Sequence, residues 1–185
     1  MGETTFLPPA KSAKEAMSDS VQQHHAEAPK TIRCAVITVS DTRTLETDTG
    51  GKTLVDRLLA AGHAVARREI VPDEPQRILA LLFEMRDSLE IDAILLTGGT
   101  GISRRDQTYE TIAGILTKSL PGYGELFRML SYQQIGPAAM LSRAIGGLLD
   151  AKVVLTMPGS PKAVELAMDR VILPELGHLV REARK

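Results

Sequence analysis

From Thr31 onward the chain alternates short, β-branched apolar runs with longer segments whose apolar residues recur every three or four positions. That alternation leaves few folds open: parallel strands need a crossover long enough to hold a helix, so it is the pattern of βαβ units on a mainly parallel sheet. Ile32 to Val39 predicts the first strand, followed by a polar loop from Ser40 to Gly51 and a helix ending near Gly62. Val65 to Val71 predicts a second strand. Beyond Pro72-Asp73-Glu74, a helix opens at Pro75 and carries Ile78, Leu81, Leu82, Met85 and Leu89 on one face. Ala93 to Thr97 reads as a central strand buried on both sides. Helices are expected at Gln107 to Lys118 and Tyr123 to Gln134, a short strand at Val153 to Met157, and two closing helices, from Pro161 to about Leu173 and from Pro174 to Arg184.

The bulk composition fits one such domain. With 185 residues, 43% of them hydrophobic, the chain can bury a real core but is short for two. Residues 1–29 hold Pro8, Pro9 and the polar run Gln22-Gln23-His24-His25 without a helical or strand period, and are expected to form a flexible tail; residues 30–185 form the domain. Lys and Arg number 22 against 23 Asp and Glu, a net charge of −1, so no basic stripe points to DNA or RNA. No apolar run approaches the roughly 20 residues that cross a bilayer, and the start of the chain lacks the order of a secretory signal. A cytoplasmic protein is expected. The single cysteine, Cys34, sits mid-strand and is read as a small core residue, and the four histidines show no zinc spacing.

The densest chemical signal is Thr97-Gly98-Gly99-Thr100-Gly101 at the carboxyl end of the central strand, with Arg104, Arg105 and Asp106 behind it. Strand carboxyl ends form the ligand crevice of open parallel sheets, and glycines let main-chain N–H groups approach an anion closely. A phosphate cradle is expected here, although neither a Gly-Lys-Ser/Thr ending nor a dinucleotide fingerprint is present. Asp73 and Asp106 each stand just before a helix, where either could simply cap it. Both also follow strands of one direction, so both carboxylates would emerge on one rim, where two hard oxygen anions can hold Mg²⁺. A second rim turn, Met157-Pro158-Gly159-Ser160-Pro161, offers Ser160 as a cap or an anion contact. Ser40-Asp41 reads as an Asx-type turn that could also line the crevice.

Taken in order and spacing, Thr97 to Gly101 with Arg105-Asp106, Pro121-Gly122-Tyr123-Gly124-Glu125, Ser142-Arg143 and Met157 to Pro161 resemble the MoaB/MogA family of molybdenum-cofactor biosynthesis proteins, from about Lys30 to the C-terminus. Thr38 to Arg43 and Arg128 to Tyr132 look closer to its MoaB branch. The resemblance implies a doubly wound, three-layer α/β/α domain that assembles as a trimer or a hexamer. It also implies adenylylation, in which the terminal phosphate of molybdopterin attacks the α-phosphorus of Mg-ATP and pyrophosphate leaves. The two acids of the catalytic branch correspond to Asp73 and Asp106. Phosphates would rest on the amides of Gly98 to Gly101, with Thr97, Arg105 and the Pro158-Gly159-Ser160 turn beside them. Gly122 to Gly124 and Ser142-Arg143 are assigned to helix ends and subunit contacts. Two alternatives stand beside the transferase: a non-catalytic molybdopterin-binding or scaffold oligomer, and an unrelated phosphate-ligand enzyme sharing only the rim.

Overall fold

The structure, a computed structural model, describes residues 27–185. The expected tail and its His24-His25 pair lie outside them except for Glu27, Ala28 and Pro29, which sit against the last helix: Glu27 pairs with Arg181, and the Pro29 carbonyl lies against Gly177.

Six strands form one sheet: β1 (Arg33–Val39), β2 (Ala64–Val71), β3 (Ala93–Thr97), β4 (Lys118–Ser119), β5 (Gly146–Leu149) and β6 (Lys152–Met157), in the order β2-β1-β3-β6-β5-β4. β2, β1, β3 and β6 are parallel, as the alternation predicts. β5 and β4 extend the sheet antiparallel and were not expected, since two glycines and a two-residue strand carry no strand signal. A side chain on Gly147 would collide with the Lys118 carbonyl, so the close approach of β4 selects glycine there.

The helices are α1 (Thr49–Ala60), α2 (Pro75–Asp87), α3 (Thr108–Ala113), α4 (Pro121–Ile135), α5 (Pro161–Ala167) and α6 (Leu173–Ala183). Successive strand side chains point to opposite faces, and the core divides accordingly. Cys34, Val36, Leu95 and Leu155 pack with Leu54, Phe127, Val164 and Leu176 from α1, α4, α5 and α6. Ala35, Ile37, Ile94, Leu96 and Val154 pack with Ile78, Leu82, Met85 and Ile112 from α2 and α3 on the other face. Three layers result.

Three boundaries differ from expectation. The helix expected from Gln107 to Lys118 stops at Ala113, because Gly114 ends it and Lys118-Ser119 pair with Leu148 and Gly147 instead. Leu89 lies beyond the end of α2 and is 85% exposed. The two closing helices are one run joined by a π-helical turn, Met168–Ile172; Pro174 has no N–H to continue the ordinary ladder, and the wider turn stands directly before it.

Candidate functional site

Parallel β1, β2, β3 and β6 bring Ser40, Asp73, Gly98 and Pro158 to one rim. The glycine loop leaves β3 with Gly98 at φ +98° and Gly99 at φ +63°, a region that side chains with a Cβ enter only at a cost. Sterics add to this: a Cβ on Gly98 would strike the Val39 carbonyl. Gly98 N–H still continues the sheet by donating to the Met157 carbonyl at 3.0 Å.

Past that point the loop's carbonyls are taken and its amides are not. The Gly99 carbonyl accepts the Thr108 N–H at 3.0 Å. Arg143 Nε donates to the Thr100 carbonyl at 2.9 Å, and Arg143 Nη2 to the Gly101 carbonyl. In a trans peptide the next N–H points opposite to the carbonyl, so the amides of Thr100, Gly101 and Ile102 face away from α3 and from Arg143. Among the described residues, these three and the Gly99 amide donate to no acceptor. A run of unpaired main-chain N–H groups of this kind is able to bind an anion.

Both aspartates flank that loop. Asp73 Oδ2 lies against the Cα of Gly99, and Asp106 against the Cα of Gly101. Neither caps its helix: the cap residues of α2 and α3 are Glu74 and Gln107, and neither helix start has a side-chain cap bond. Asp73 Oδ1 instead accepts the Gln107 N–H at 3.1 Å, and Asp106 Oδ2 accepts the Ser103 N–H at 2.8 Å. Asp73 is 5% exposed, and burial raises its carboxyl pKa above the usual value. The Gln107 N–H opposes that rise while the charges of Asp106 and Asp41 add to it. Two carboxylates that feel each other's charge beside free amides are placed to share a cation.

The second rim turn is stitched to the first. Thr97, fully buried, donates through Oγ1 to the Pro158 carbonyl at 3.1 Å, and a Cβ on Gly159 would come within 3.3 Å of the Gly98 Cα. Ser160 caps α5, its Oγ accepting the Ala163 N–H at 3.2 Å. Ser40 Oγ accepts the N–H groups of Thr42 and Arg43, the tight turn expected there. Asp41 does more than turn the chain: it grips Arg105 at two points, 2.7 Å each. Arg105 therefore reaches the site already paired, and this pair borders a cleft of about 760 Å³ lined also by Arg43, Arg68 and Glu74.

Sequence reasoning missed the role of Arg143, which it assigned to helix ends and subunit contacts. Held by Glu110 and lying over the Tyr109 ring at 4.9 Å, Arg143 braces the glycine loop from 42 and 43 positions away. The Ser142-Arg143 motif was visible; its target was not. Cys34 is fully buried, and burial pushes its thiol up to about 12, in keeping with a core residue rather than a nucleophile.

A three-layer α/β domain with a glycine loop at its strand ends, flanked by two acids, places the chain in the doubly wound α/β class, whose ligand crevice lies at this rim. Residues 35–178 match the family described as "Probable molybdopterin binding domain". The Molybdenum cofactor biosynthesis protein B of Halalkalibacterium halodurans is 53% identical over 167 residues, spanning 90% of this chain and 98% of the relative. A crystal structure of a Molybdenum cofactor biosynthesis protein B superposes with a TM-score of 0.82 at 50% identity, covering 85% of this chain and 99% of the other. The tungsten cofactor synthesizing protein MoaB of Pyrococcus furiosus superposes with a TM-score of 0.77 at 37% identity, covering 85% and 100%. The chain belongs to the MoaB/MogA family of molybdenum cofactor biosynthesis proteins.

Proposed function

We propose that the protein is a cytoplasmic molybdopterin adenylyltransferase, which joins molybdopterin to the adenylyl group of Mg-ATP and releases pyrophosphate. The observation that carries this reading is the row of unpaired loop amides between Asp73 and Asp106. Nucleotidyl transfer asks a protein chiefly to position two anions in line and offset their charge, and needs no covalent nucleophile. The amides of Gly99 to Ile102 would hold phosphate oxygens. Thr97 and the Pro158-Gly159-Ser160 turn shape the far wall, and Arg105, with Nε and Nη2 committed to Asp41, keeps Nη1 for a phosphate.

Magnesium fits this donor set in one manner. Among the described residues no group of three or more His, Cys, Asp or Glu side chains is placed to hold a metal, whereas an ion carried on a nucleotide needs only one or two carboxylates besides phosphate oxygens and water. Asp73 and Asp106 would supply them. When bound, the ion neutralises charge on the phosphates and the departing pyrophosphate.

Self-association is part of the same reading. Leu126, Met129, Tyr132 and Ile135 of α4, with Met140 and Leu141 just beyond, are exposed apolar side chains on consecutive turns, a patch suited to a homotrimer or a hexamer of two trimers.

Incubating the protein with molybdopterin and Mg-ATP, and separating the products chromatographically, should yield adenylyl-molybdopterin and pyrophosphate in equal amounts. Tight pterin binding without product would instead favour a scaffold oligomer. Absence of pterin affinity would leave a different phosphate ligand.

A further inference from the structure

Thr108 opens α3 with its side chain fully buried, and its hydroxyl is left without a hydrogen-bond partner. Burying a hydroxyl unpaired is costly, because it gives up its bonds to water for nothing. Its surroundings show where a partner stands. A Cβ on Gly99 would run into both Thr108 Oγ1 and Asp73 Oδ2, so the two oxygens flank one side of the same Cα. Asp73 Oδ1 is held by the Gln107 N–H, while no donor among the described residues reaches Oδ2. The Thr108 N–H is itself fixed on the Gly99 carbonyl, so the residue cannot drift from the loop.

We propose that Thr108 is a positioning residue for Asp73. Once nucleotide and cation are bound, its hydroxyl closes onto Oδ2 and, with the Gln107 N–H already on Oδ1, fixes the plane of the carboxylate toward a hydrated divalent cation carried on the nucleotide. Hydrogen bonds at such sites are often long before the ligands bind and tighten in the complex. Outer groups that orient a ligating carboxylate contribute about 10- to 100-fold to metal affinity. A packing role alone would be met equally by valine, which has threonine's shape and no hydroxyl. The inference rests on the adenylylation reading and deepens it.

The test uses the full chain with Mn²⁺ and the non-cleavable analogue α,β-methylene-ATP. Free Mn²⁺ is followed by electron paramagnetic resonance, and analogue affinity is measured separately in chelator. Thr108→Val should weaken Mn²⁺ binding about 10-fold or more and leave analogue affinity in chelator unchanged, while Thr108→Ser, which keeps the hydroxyl, stays within about threefold of the parent. Should the valine variant not fold, Thr108→Ala gives the same comparison. Equal Mn²⁺ binding by the parent and the variant lacking the hydroxyl overturns the inference, as does a serine variant as weak as valine. A parent chain that binds the analogue but no Mn²⁺ overturns it together with the magnesium part of the proposed function.

Discussion

Arg105 and Asp41, 64 positions apart, meet through two parallel contacts, Nε to Oδ2 and Nη2 to Oδ1, each 2.7 Å long. The same Asp41 Oδ1 accepts the Asp73 N–H at 3.1 Å, so the pair ties the turn after β2 to the loop after β3. The two side chains are 55% and 37% exposed, and a pair so open to water adds little to stability. Its value lies in geometry. Asp41→Ala and Arg105→Ala are each expected to weaken nucleotide binding several-fold with little change in melting temperature. If the residues act as one unit, the double variant should be no worse than the poorer single one; additive losses in calorimetric titration would show that they act separately.

Asp73 illustrates a site held at the expense of the fold. Burial first, then the charges of Asp106 and Asp41, raise its pKa. An acid whose folded pKa lies above its unfolded value favours the fold while protonated, and this contribution is lost as pH rises from the ordinary carboxylate range through the raised value. At neutral pH the ionised group is therefore unfavourable. Asp73→Asn should melt at a higher temperature than the parent at pH 7, converge with it in acid, and lose at least about 100-fold in adenylyl transfer, the range seen when a charge-stabilising group is removed. An asparagine variant that melts lower at pH 7 would contradict this.

The glycine loop can be tested against a neighbour that has room. Gly99→Ala places a Cβ in a left-handed conformation, costing about 1–2 kcal/mol, and drives it into Thr108 and Asp73. Nucleotide binding should fall beyond detection. Gly122, within α4, has nothing within 4 Å of the same position, so Gly122→Ala should leave binding untouched and hold or raise stability, as thermal melts would register.

Arg143 makes a different kind of prediction. Arg143→Met retains much of the side chain's bulk but frees the Thr100 and Gly101 carbonyls. Hydrogen bonds from a charged donor are each worth about 1.5–3 kcal/mol, so a loss of that order in denaturant titration is expected. Phosphate affinity should drop at the same time, because the amides facing the other way lose their orientation. Unchanged affinity in a folded Arg143→Met would separate the brace from the cradle.

The exposed apolar side chains of α4 give a test of the proposed self-association. Met129→Glu sets a charge among Leu126, Tyr132 and Ile135. Analytical ultracentrifugation should find the parent oligomeric and this variant shifted toward monomer.

How far the sequence exposed this molecule depended on the range of each interaction. β1, β3 and β6 are continuous apolar runs and show themselves, as does the Pro75 start of α2. β4 and β5 exist because Lys118 and Ser119 find Leu148 and Gly147 across 30 and 28 positions, a choice made by tertiary pairing that overrode a helical local pattern after Gly114. The site divides in the same way. That Gly98 to Gly101 form a turn near two acids is legible in composition. That Asp73 holds the Gln107 N–H, that Arg105 arrives already paired and that Arg143 holds the loop from behind depend on contacts of 34 to 64 positions, for which no local periodicity exists; Asp106 turns back onto Ser103, three positions away.

Where Gly50, Gly98 and Gly159 meet, main chain touches main chain with no side chain between: a Cβ on Gly50 would come within 2.7 Å of the Gly159 carbonyl, and one on Gly159 within 3.3 Å of the Gly98 Cα. Such a junction has no rotamers to adjust and no slack to take up. The three turns at this rim are thus locked together through their main chain, and an alanine at Gly50 or Gly159 has to push two of them apart.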